Sequence, residues 1–364
     1  MTSFPSRWAT GDASAPAPGR FLPAWRRLDR VRYKARHYAD AALLGGTMRA
    51  LHALMEPNLG PPTQAQVDAA TAHFNALMEQ DLRNAEAGVY PRRLLFDGPP
   101  LLAPRTAAQL ASELPRIWWR HRTHNHTDLP ATADLSDYPP YYRRTFHWQT
   151  DGWLSLRSAR LYDAQVELLF TGTADVMRRM SLPPLVESLK THRRPRILDV
   201  GCGTGRFLWQ LHMTVPRAKL LGIDLSPFYI QRAFELLHDV RDVSLLVDNA
   251  EAMPLANASA DAVVSVFLFH ELPLPARRAV LEEIWRVCAP GGHVVLCDAA
   301  QNADASDTGY FFDVFATVYH EPYFKSYMRH PLESLLRTAG FEVLKSQRWL
   351  WSKVVTARKP QREI

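Results

Sequence analysis

The chain has 364 residues, of which 47% are hydrophobic and 22% are charged, so it is long enough to bury one large hydrophobic core or two modest ones. No run approaches the roughly 18 consecutive apolar residues of a membrane-spanning helix, and residues 1–24 lack the unbroken apolar stretch of a signal peptide. Composition therefore argues against membrane-spanning and secreted classes and predicts a cytoplasmic protein. The formal net charge of +6 is concentrated in residues 1–60, where nine Lys and Arg face four acidic residues.

The N-terminal half predicts a tail followed by helices. Residues 1–24 are rich in Pro, Ser, Gly and Ala, which predicts a poorly ordered tail. Apolar residues then recur at helical spacing, so we expect a mainly helical region over 25–190. The predicted helical segments are 26–55, 63–85, 106–119 and 161–190. The basic residues of 26–36 form either a solvated helix face or a weak contact with an anionic surface or partner.

Two residue types in the chain raise the question of metals and disulfides. His121, His124 and His126 lie in a long aromatic, turn-rich segment, 121–153, but no second cluster of ligands accompanies them, so we predict no metal site. The three cysteines, Cys202, Cys288 and Cys297, are expected to be reduced and buried.

From residue 196 onward, short apolar runs alternate with amphipathic helices, and this alternation predicts a parallel sheet. An antiparallel hairpin is expected at the sheet edge, formed by the last two extended runs. The predicted strands are 196–200, 220–224, 243–247, 262–267 and 293–298, with the hairpin at 341–347 and 349–357. The predicted helices are 204–215, 228–238, 275–287 and 332–338.

The most informative motif is a buried strand that runs into closely spaced glycines, Asp199-Val-Gly-Cys-Gly-Thr-Gly205. Such glycines let the backbone turn tightly and approach a ligand. Arg206 stands where a dinucleotide fingerprint needs its third glycine, and no Gly-Lys-Ser/Thr follows, so neither a nicotinamide or flavin site nor a P-loop is expected. A ligand that carries a sulfonium, an amine and a carboxylate suits Asp199 better.

A second carboxylate follows at the end of the next strand. Gly222-Ile-Asp224 places Asp224 25 residues after Asp199, where a carboxylate can accept both hydroxyl protons of a ribose. Further segments follow in order at the ends or starts of the later strands. They are Asp248-Asn-Ala-Glu-Ala-Met-Pro-Leu255, Asp261-Ala-Val-Val-Ser265 and Pro290-Gly-Gly292.

With these five segments in order, 194–357 resembles the Rossmann-like class I S-adenosylmethionine (SAM)-dependent methyltransferases, in particular the ubiquinone/menaquinone-biosynthesis C-methyltransferases. The resemblance implies an α/β fold with a seven-stranded doubly wound sheet, an antiparallel last strand and a SAM-binding domain over 191–364. It implies that Asp199, Gly201, Gly203 and Gly205 line the methionine part of SAM and that Asp224 binds the ribose. Asn249 and Ala250 would flank the adenine, with Asn249 replacing an Asp that is common in the family; Leu225 and Phe267 complete the implied cofactor site.

Methyl transfer depends mainly on positioning and desolvation, and a base is needed only for weak nucleophiles. His270 follows the fourth strand, where open α/β sheets place reacting groups, and is the first candidate base; the alternative is that His270 and Glu271 only frame the pocket. Asp298, at the end of the fifth strand, and Tyr162 are the other candidate catalytic residues.

The aromatic segments 141–153 and 310–327 are expected to enclose the methyl acceptor, although ordinary packing explains as many of their side chains. Among these side chains we favour function for His147, Trp148 and Tyr319, and also for Tyr162, on a predicted helix close in sequence to the first segment. The expected acceptor is a carbon or oxygen of a small organic molecule. Ser265-Val-Phe-Leu-Phe269 lacks the motif of nucleic-acid amino-methyltransferases, so no nucleic acid is expected. A lipid or protein methyltransferase that uses the basic arm, or a SAM-binding protein with non-methylating chemistry, stays open, as does the oligomeric state.

Overall fold

The computed structural model describes residues 24–56, 58, 60–99, 104–131 and 133–361. The predicted tail at 1–24, apart from Ala24, lies outside the described residues, and so does the side chain of Arg26. None of the helices within the described part of the chain has the length and apolar character needed to cross a bilayer.

The C-terminal half forms a seven-stranded sheet with the spatial order β3-β2-β1-β4-β5-β7-β6. Neighbours among the first five strands are parallel, whereas β7 runs antiparallel to both β5 and β6. The predicted fold class is therefore confirmed, including the antiparallel hairpin at the edge. The strands are β1 (Arg196–Val200), β2 (Lys219–Asp224), β3 (Val243–Val247), β4 (Ala260–Val266), β5 (Cys288–Ala299), β6 (Glu342–Trp349) and β7 (Ser352–Arg358).

Helices cover both faces of the sheet. Because side chains alternate along a strand, Ile197 enters one hydrophobic core and Leu198 enters the other. The helices are α1 (Ala24–Met55), α2 (Gln64–Glu86), α3 (Pro104–Thr123), α4 (Leu156–Leu169), α5 (Ala174–Arg179), α6 (Leu182–Ser188), α7 (Arg206–Thr214), α8 (Pro227–Leu237), α9 (Leu274–Val287), α10 (Gly309–Val318), α11 (Phe324–Arg329) and α12 (Leu332–Thr338). Short 3-10 helices lie at Arg92–Leu95, Phe146–Trp148 and Phe269–Glu271.

The N-terminal helices pack against the sheet through one shared core. Leu77 of α2, Met177 of α5 and Leu185 of α6 are buried in the same core as Ile197. A buried ion pair joins the same helices, because Arg179 donates to both carboxylate oxygens of Asp81 at 2.9 and 2.6 Å. Truncating one partner would leave a buried charge without its counterion, which costs several kcal/mol. The shared core and the ion pair thus hold the N-terminal helices against the sheet.

The basic segment 26–36 is packed against the protein more than the sequence suggests. Arg30 contacts Glu86 at 2.9 Å and also pairs with Glu79, while Lys34 lies 3.3 Å from Glu79. Arg36 donates to the carbonyl oxygen of Phe96 at 2.9 Å. These three side chains therefore have partners within the chain, although those of Lys34 and Arg36 stay 45% and 38% exposed, and the solvated-face alternative stays open.

Three segments differ in detail from the sequence-based expectation. The predicted helical stretch 161–190 is divided into α4, α5 and α6. Thr171 and Gly172 adopt left-handed backbone angles (φ 52° and 82°) that separate α4 from α5. Strand β5 begins at Cys288, five residues before the predicted start, with Pro290-Gly-Gly292 inside it and a register shift opposite Ala260. The aromatic segment 310–327 contains α10 and α11. The cysteines Cys202, Cys288 and Cys297 are free and buried, as expected.

Candidate active site

A cavity with about 1030 Å³ of empty space, part of it open to solvent, lies at the carboxyl ends of β1, β2 and β4. The strand order reverses between β1 and β4, and open α/β sheets bind ligands in the crevice at such a point. The glycine turn after β1, the end of β2 and the loops after β3 and β4 all contribute to the cavity wall.

The glycine turn approaches the cavity because its residues adopt backbone angles that other residues rarely adopt. Gly201 and Gly203 have φ of 72° and 54° and line the cavity. A side chain on Gly203 would meet nothing closer than Tyr229 at 4.0 Å, so the space beside that glycine is open for a ligand. Gly205, with φ 77°, does not line the cavity, and a Cβ there would lie 2.9 Å from that of Ala233. Its structural role is therefore the close packing of α7 on α8.

Two carboxylates face each other across this turn. Asp224 accepts hydrogen bonds from the backbone nitrogens of Gly203, at 2.8 Å, and Ser226, at 2.9 Å. Burial raises the pKa of Asp224 in spite of these donors. Asp199 is 1% exposed, and neither of its carboxylate oxygens has a hydrogen-bond partner. Burial and the neighbouring Asp224 raise the pKa of Asp199 to about 8, although Arg178 acts in the opposite direction.

The orphaned carboxylate of Asp199 fits a cationic ligand group. A buried carboxylate without donors is costly unless a ligand supplies them. The ammonium group of SAM provides such donors, the open space beside Gly203 admits the methionine chain, and Asp224 retains acceptor capacity for ribose hydroxyls. The residues present therefore fit SAM.

The segment after β3 also reaches the cavity through Asp248, Asn249 and Ala250. The side-chain oxygen of Asn249 accepts a hydrogen bond from the backbone nitrogen of Glu251 at 2.9 Å. Part of its acceptor capacity is thus used locally, which the sequence did not reveal. The Glu251 carboxylate in turn accepts a hydrogen bond from the Tyr141 hydroxyl at 2.6 Å, which connects this edge to the aromatic segment before the sheet.

Aromatic side chains close the other walls of the cavity. Tyr142, Trp153 and Tyr162 come from the segment before the sheet, while Leu225 and Phe267 follow β2 and β4. The ring of Tyr162 lies edge-on to that of Tyr229 with 5.3 Å between centroids, and burial raises its pKa well above the usual value. The predicted aromatic enclosure therefore contains Tyr162. Trp148 and Tyr319 do not line the cavity; Trp148 packs in a separate small core with Met55, and the Tyr319 hydroxyl lies 2.9 Å from Nε2 of His52.

His270 lies one layer behind the cavity wall and is held by Asp298. Its Nδ1 is 2.7 Å from Oδ1 of Asp298, whose other oxygen accepts a hydrogen bond from the backbone nitrogen of Phe269 at 2.7 Å. Burial lowers the pKa of His270, but Asp298, Glu271 and Glu321 outweigh burial and raise the pKa to about 9. Asp298 itself does not line the cavity. Glu271 does line it, and burial raises its pKa to about 8.

His147 completes a group of polar side chains beside Glu271. Its Nε2 lies 3.6 Å from Oε1 of Glu271, and its Nδ1 lies 3.1 Å from Oε1 of Glu321, a side chain with no exposed surface. Glu321 was not singled out by sequence reasoning, although an acidic residue within the aromatic segment 310–327 was the available signal. His121 does not belong to this group, and its Nε2 lies 3.2 Å from Oε1 of Glu56.

A hydrogen bond and an ion pair connect the glycine turn and the start of α7 to the helices before the sheet. The hydroxyl of Thr204 donates to Asp163 of α4 at 2.8 Å, and Arg206 pairs with Asp175 of α5 at 2.6 Å. Arg178 lines the cavity and pairs with the same Asp175 at 2.9 Å. Sequence reasoning missed Arg178 and Asp163, because nothing in a helical pattern shows which of its polar residues turns toward a distant loop.

Known proteins share the C-terminal half of the chain. A family described as a methyltransferase domain matches residues 197–292. The chain is similar to a malonyl-[acyl-carrier protein] O-methyltransferase of Hahella chejuensis, with 39% identity over 99 residues that cover 27% of this chain and 34% of that protein. It is also similar to the ubiquinone/menaquinone biosynthesis C-methyltransferase UbiE of Syntrophotalea carbinolica, with 32% identity over 146 residues, 40% of this chain and 59% of that protein. The chain thus spans less than two thirds of either relative.

A third relative is matched over more of its length. The O-methyltransferase rstn1 of Aspergillus nomiae is 32% identical over 164 residues, which cover 43% of this chain and 69% of that protein. Among solved structures, a SAM-dependent methyltransferase from Aquifex aeolicus aligns with 50% of this chain and 92% of its own, at 22% identity and a TM-score of 0.37. With the strand order and the glycine turn already described, the match to the rstn1 protein shows that this chain belongs to the class I SAM-dependent methyltransferases.

Proposed function

We propose that this protein transfers the methyl group of SAM to an oxygen or carbon atom of a small organic molecule. The observation that carries the proposal is the unpartnered Asp199 carboxylate, which faces the open glycine turn within a cavity bounded by aromatic side chains. The relatives named above are O- and C-methyltransferases, and their names refer to malonyl-[acyl-carrier protein] and to ubiquinone/menaquinone biosynthesis. These names support an organic acceptor of modest size.

The geometry of the turn supports the cofactor-binding roles that we propose. We assign the SAM ammonium to Asp199 and the ribose hydroxyls to Asp224, with Gly201 and Gly203 against the methionine chain. Leu225, Asn249, Ala250 and Phe267 would surround the adenosine part. When bound, SAM would supply an activated methyl carbon, which an acceptor atom attacks in line while the sulfur leaves as a neutral thioether.

The residues of this chain would contribute positioning, exclusion of water and acceptance of a proton. Tyr162 lies on the cavity wall and is assigned to contact the acceptor. His270 is assigned to the acceptor side of the cavity behind Glu271, and Asp298 would position it through the 2.7 Å contact to Nδ1. Asp298 is thus proposed as a positioning residue and not as a base, because its oxygens already accept hydrogen bonds from Phe269 and Ala299.

The helical region at 25–190 is proposed to cover the cofactor and shape the acceptor site, since Tyr142, Trp153 and Tyr162 come from it. The division of the chain near residue 190, the cytoplasmic location and the absence of nucleic-acid partners stay predictions. A lipid or protein acceptor recognised by 26–36 is the weaker candidate, because Arg30, Lys34 and Arg36 already pair within the chain.

The test uses SAM labelled in its methyl group and purified full-length protein. The protein is incubated with phenols, enolisable carbonyl compounds and free carboxylic acids, in parallel with an extract of small metabolites, and labelled products are identified by mass. We expect label in a small organic product. Tight SAM binding in calorimetry without transfer of label to any acceptor would replace this proposal with the non-methylating alternative.

A further inference from the structure

Two imidazoles and a carboxylate converge at one point beside the cofactor cavity. Nε2 of His147 and Nε2 of His270 lie 3.6 and 3.8 Å from the same oxygen, Oε1 of Glu271. A ligand atom from each of the three residues lies within 4.8 Å of the other two, and such a group occurs at no other place in the described part of the chain. Ligand atoms about 2.1 Å from a tetrahedral ion are about 3.4 Å apart, so the two contacts to Glu271 exceed that spacing by only a few tenths of an ångström.

Each imidazole of this group has a carboxylate on its far side. Asp298 lies 2.7 Å from Nδ1 of His270, and Glu321 lies 3.1 Å from Nδ1 of His147. In metal sites, a carboxylate that contacts the non-coordinating nitrogen fixes the ring orientation and leaves the other nitrogen free to coordinate. Both histidines of this protein have that arrangement, with both Nε2 atoms turned toward Glu271.

The group also contains buried polar atoms that nothing in the protein satisfies. Glu321 has no exposed side-chain surface, and neither of its oxygens makes a hydrogen bond of normal geometry. Nδ1 of His147 likewise makes no hydrogen bond of normal geometry, although it lies 3.1 Å from Oε1 of Glu321. Three carboxylates, Glu271, Asp298 and Glu321, thus meet two imidazoles in a buried volume. A bound cation would favour the ionised forms of these carboxylates, which are otherwise expensive to bury.

The backbone at His147 adopts a conformation that a non-glycine residue rarely adopts. Its φ and ψ are 52° and 19°, and its backbone nitrogen donates to the carbonyl oxygen of His320 at 3.3 Å. Left-handed angles at such a residue cost on the order of 1 kcal/mol and occur preferentially at functional sites. Here the turn directs the imidazole between Glu271 and Glu321.

We propose that His147, His270 and Glu271 bind a divalent transition-metal ion of the Zn²⁺ type at the edge of the cofactor cavity. Two imidazoles and one carboxylate suit Zn²⁺, Fe²⁺ or Co²⁺ better than Mg²⁺ or Ca²⁺, which prefer oxygen ligands. Three protein ligands leave at least one coordination position open, as in catalytic zinc sites. Glu271 lines the cavity, so the ion would lie at the cavity wall and its open position would be available to a molecule in that space.

The ion would bind an oxygen of the acceptor and lower the pKa of its hydroxyl or enol group. Under that arrangement the metal activates the acceptor and His270 is a ligand. This role rests on the proposed function, whereas binding of the ion does not.

The test measures metal content without cofactor or acceptor. Full-length protein is stripped with a chelator, loaded with Zn²⁺, dialysed and analysed by elemental mass spectrometry. We expect about one Zn²⁺ per chain in the wild type, and at least a tenfold lower content in His147→Ala and Glu271→Gln. His238→Ala, which removes an exposed imidazole on the surface, should keep one equivalent. Absence of bound metal in the wild type, or an unchanged content in both variants, would overturn the proposal.

A second measurement guards against unfolding and other binding modes. If His147→Ala does not fold, as judged by circular dichroism, the near-isosteric Glu271→Gln carries the test. Replacement of Zn²⁺ by Co²⁺ should give a spectrum of nitrogen and oxygen ligation; a thiolate charge-transfer band would place the ion on a cysteine and contradict the assignment. Asp199→Asn should lose SAM affinity and keep the metal. Stoichiometric metal without methyl transfer would leave the metal site standing and remove the proposed function.

Discussion

The two sides of the cavity are built in different ways. On the cofactor side, Asp199, Gly201, Gly203 and Asp224 come from the ends of two adjacent strands, and backbone geometry fixes most of their positions. On the proposed acceptor side, the polar side chains come from four separated segments and meet mainly through side-chain contacts; they are His147, His270, Glu271, Asp298 and Glu321. One sheet thus supports a site built from strand ends on one side and a site built from separated segments on the other.

The largest effect is expected on the cofactor side, where backbone geometry positions the residues. Asp224→Ala removes a carboxylate that accepts from Gly203 and Ser226 and is assigned to the ribose. Hydrogen bonds to charged groups contribute about 1.5–3 kcal/mol, so SAM affinity measured by calorimetry should fall by about tenfold or more. Asp239→Ala, at an exposed position, is the control and should bind SAM normally. Equal affinity in the two variants would contradict the ribose assignment.

A smaller effect concerns the proton on Asp199. Its pKa of about 8 in the free protein means that the carboxyl group holds a proton at pH 7, whereas the SAM ammonium favours the ionised form. Binding should therefore release a proton, and affinity should rise by up to about tenfold per pH unit between pH 6 and 7 and level off near pH 8.

Calorimetry in buffers with different ionisation enthalpies measures this release directly. The wild type should release about one proton near pH 7, because one carboxyl group of this kind is assigned to the ligand. Asp199→Asn cannot ionise at this position and should show weaker binding with no such release. If the wild type bound SAM with no proton released, Asp199 would not be the partner of the ammonium group.

The smallest expected effect concerns the left-handed backbone conformation of His147, on the proposed acceptor side. Because φ is 52° there, His147→Gly should be more stable than His147→Ala by about 0.5–1 kcal/mol in denaturant unfolding. The same pair at His73, inside α2, should have the opposite order, since glycine is unfavourable in a helix interior. The same order at both positions would show that the left-handed turn is not required.

The sheet and the cofactor side were predictable because their signals are local. Short apolar runs predicted the strand positions, and Asp199 and Asp224 lie at the carboxyl ends of two of these runs. The early start of β5 was missed because Pro290-Gly-Gly292 looks like a turn that precedes a strand, yet the chain pairs through it with a register shift. Gly205 was assigned to the cofactor because it belongs to the motif, although the contact with Ala233 shows that it serves helix packing.

The acceptor side was predictable only in part. Positions at strand ends or near the pocket predicted three candidates, His270, Asp298 and Tyr162. The contact between Asp298 and Nδ1 of His270, on the side away from the cavity, could not be predicted from the sequence. The position of Glu321 beside His147 was hard to predict, because an acidic residue in an irregular segment carries no periodic signal. Its contact with His147 joins positions far apart in the chain, which a pattern over ten or twenty residues cannot show.

The contacts of Thr204 and Arg206 have a consequence for protein engineering. Because Thr204 bonds to Asp163 and Arg206 bonds to Asp175, the cofactor turn of this chain is matched to its own preceding helices. A chimera that grafts a different N-terminal half onto this sheet, in order to alter acceptor choice, would leave the buried Arg206 without its counterion unless the donor supplied an equivalent acid. Successful exchange of acceptor specificity should therefore require α4 and α5 to travel together with the glycine turn.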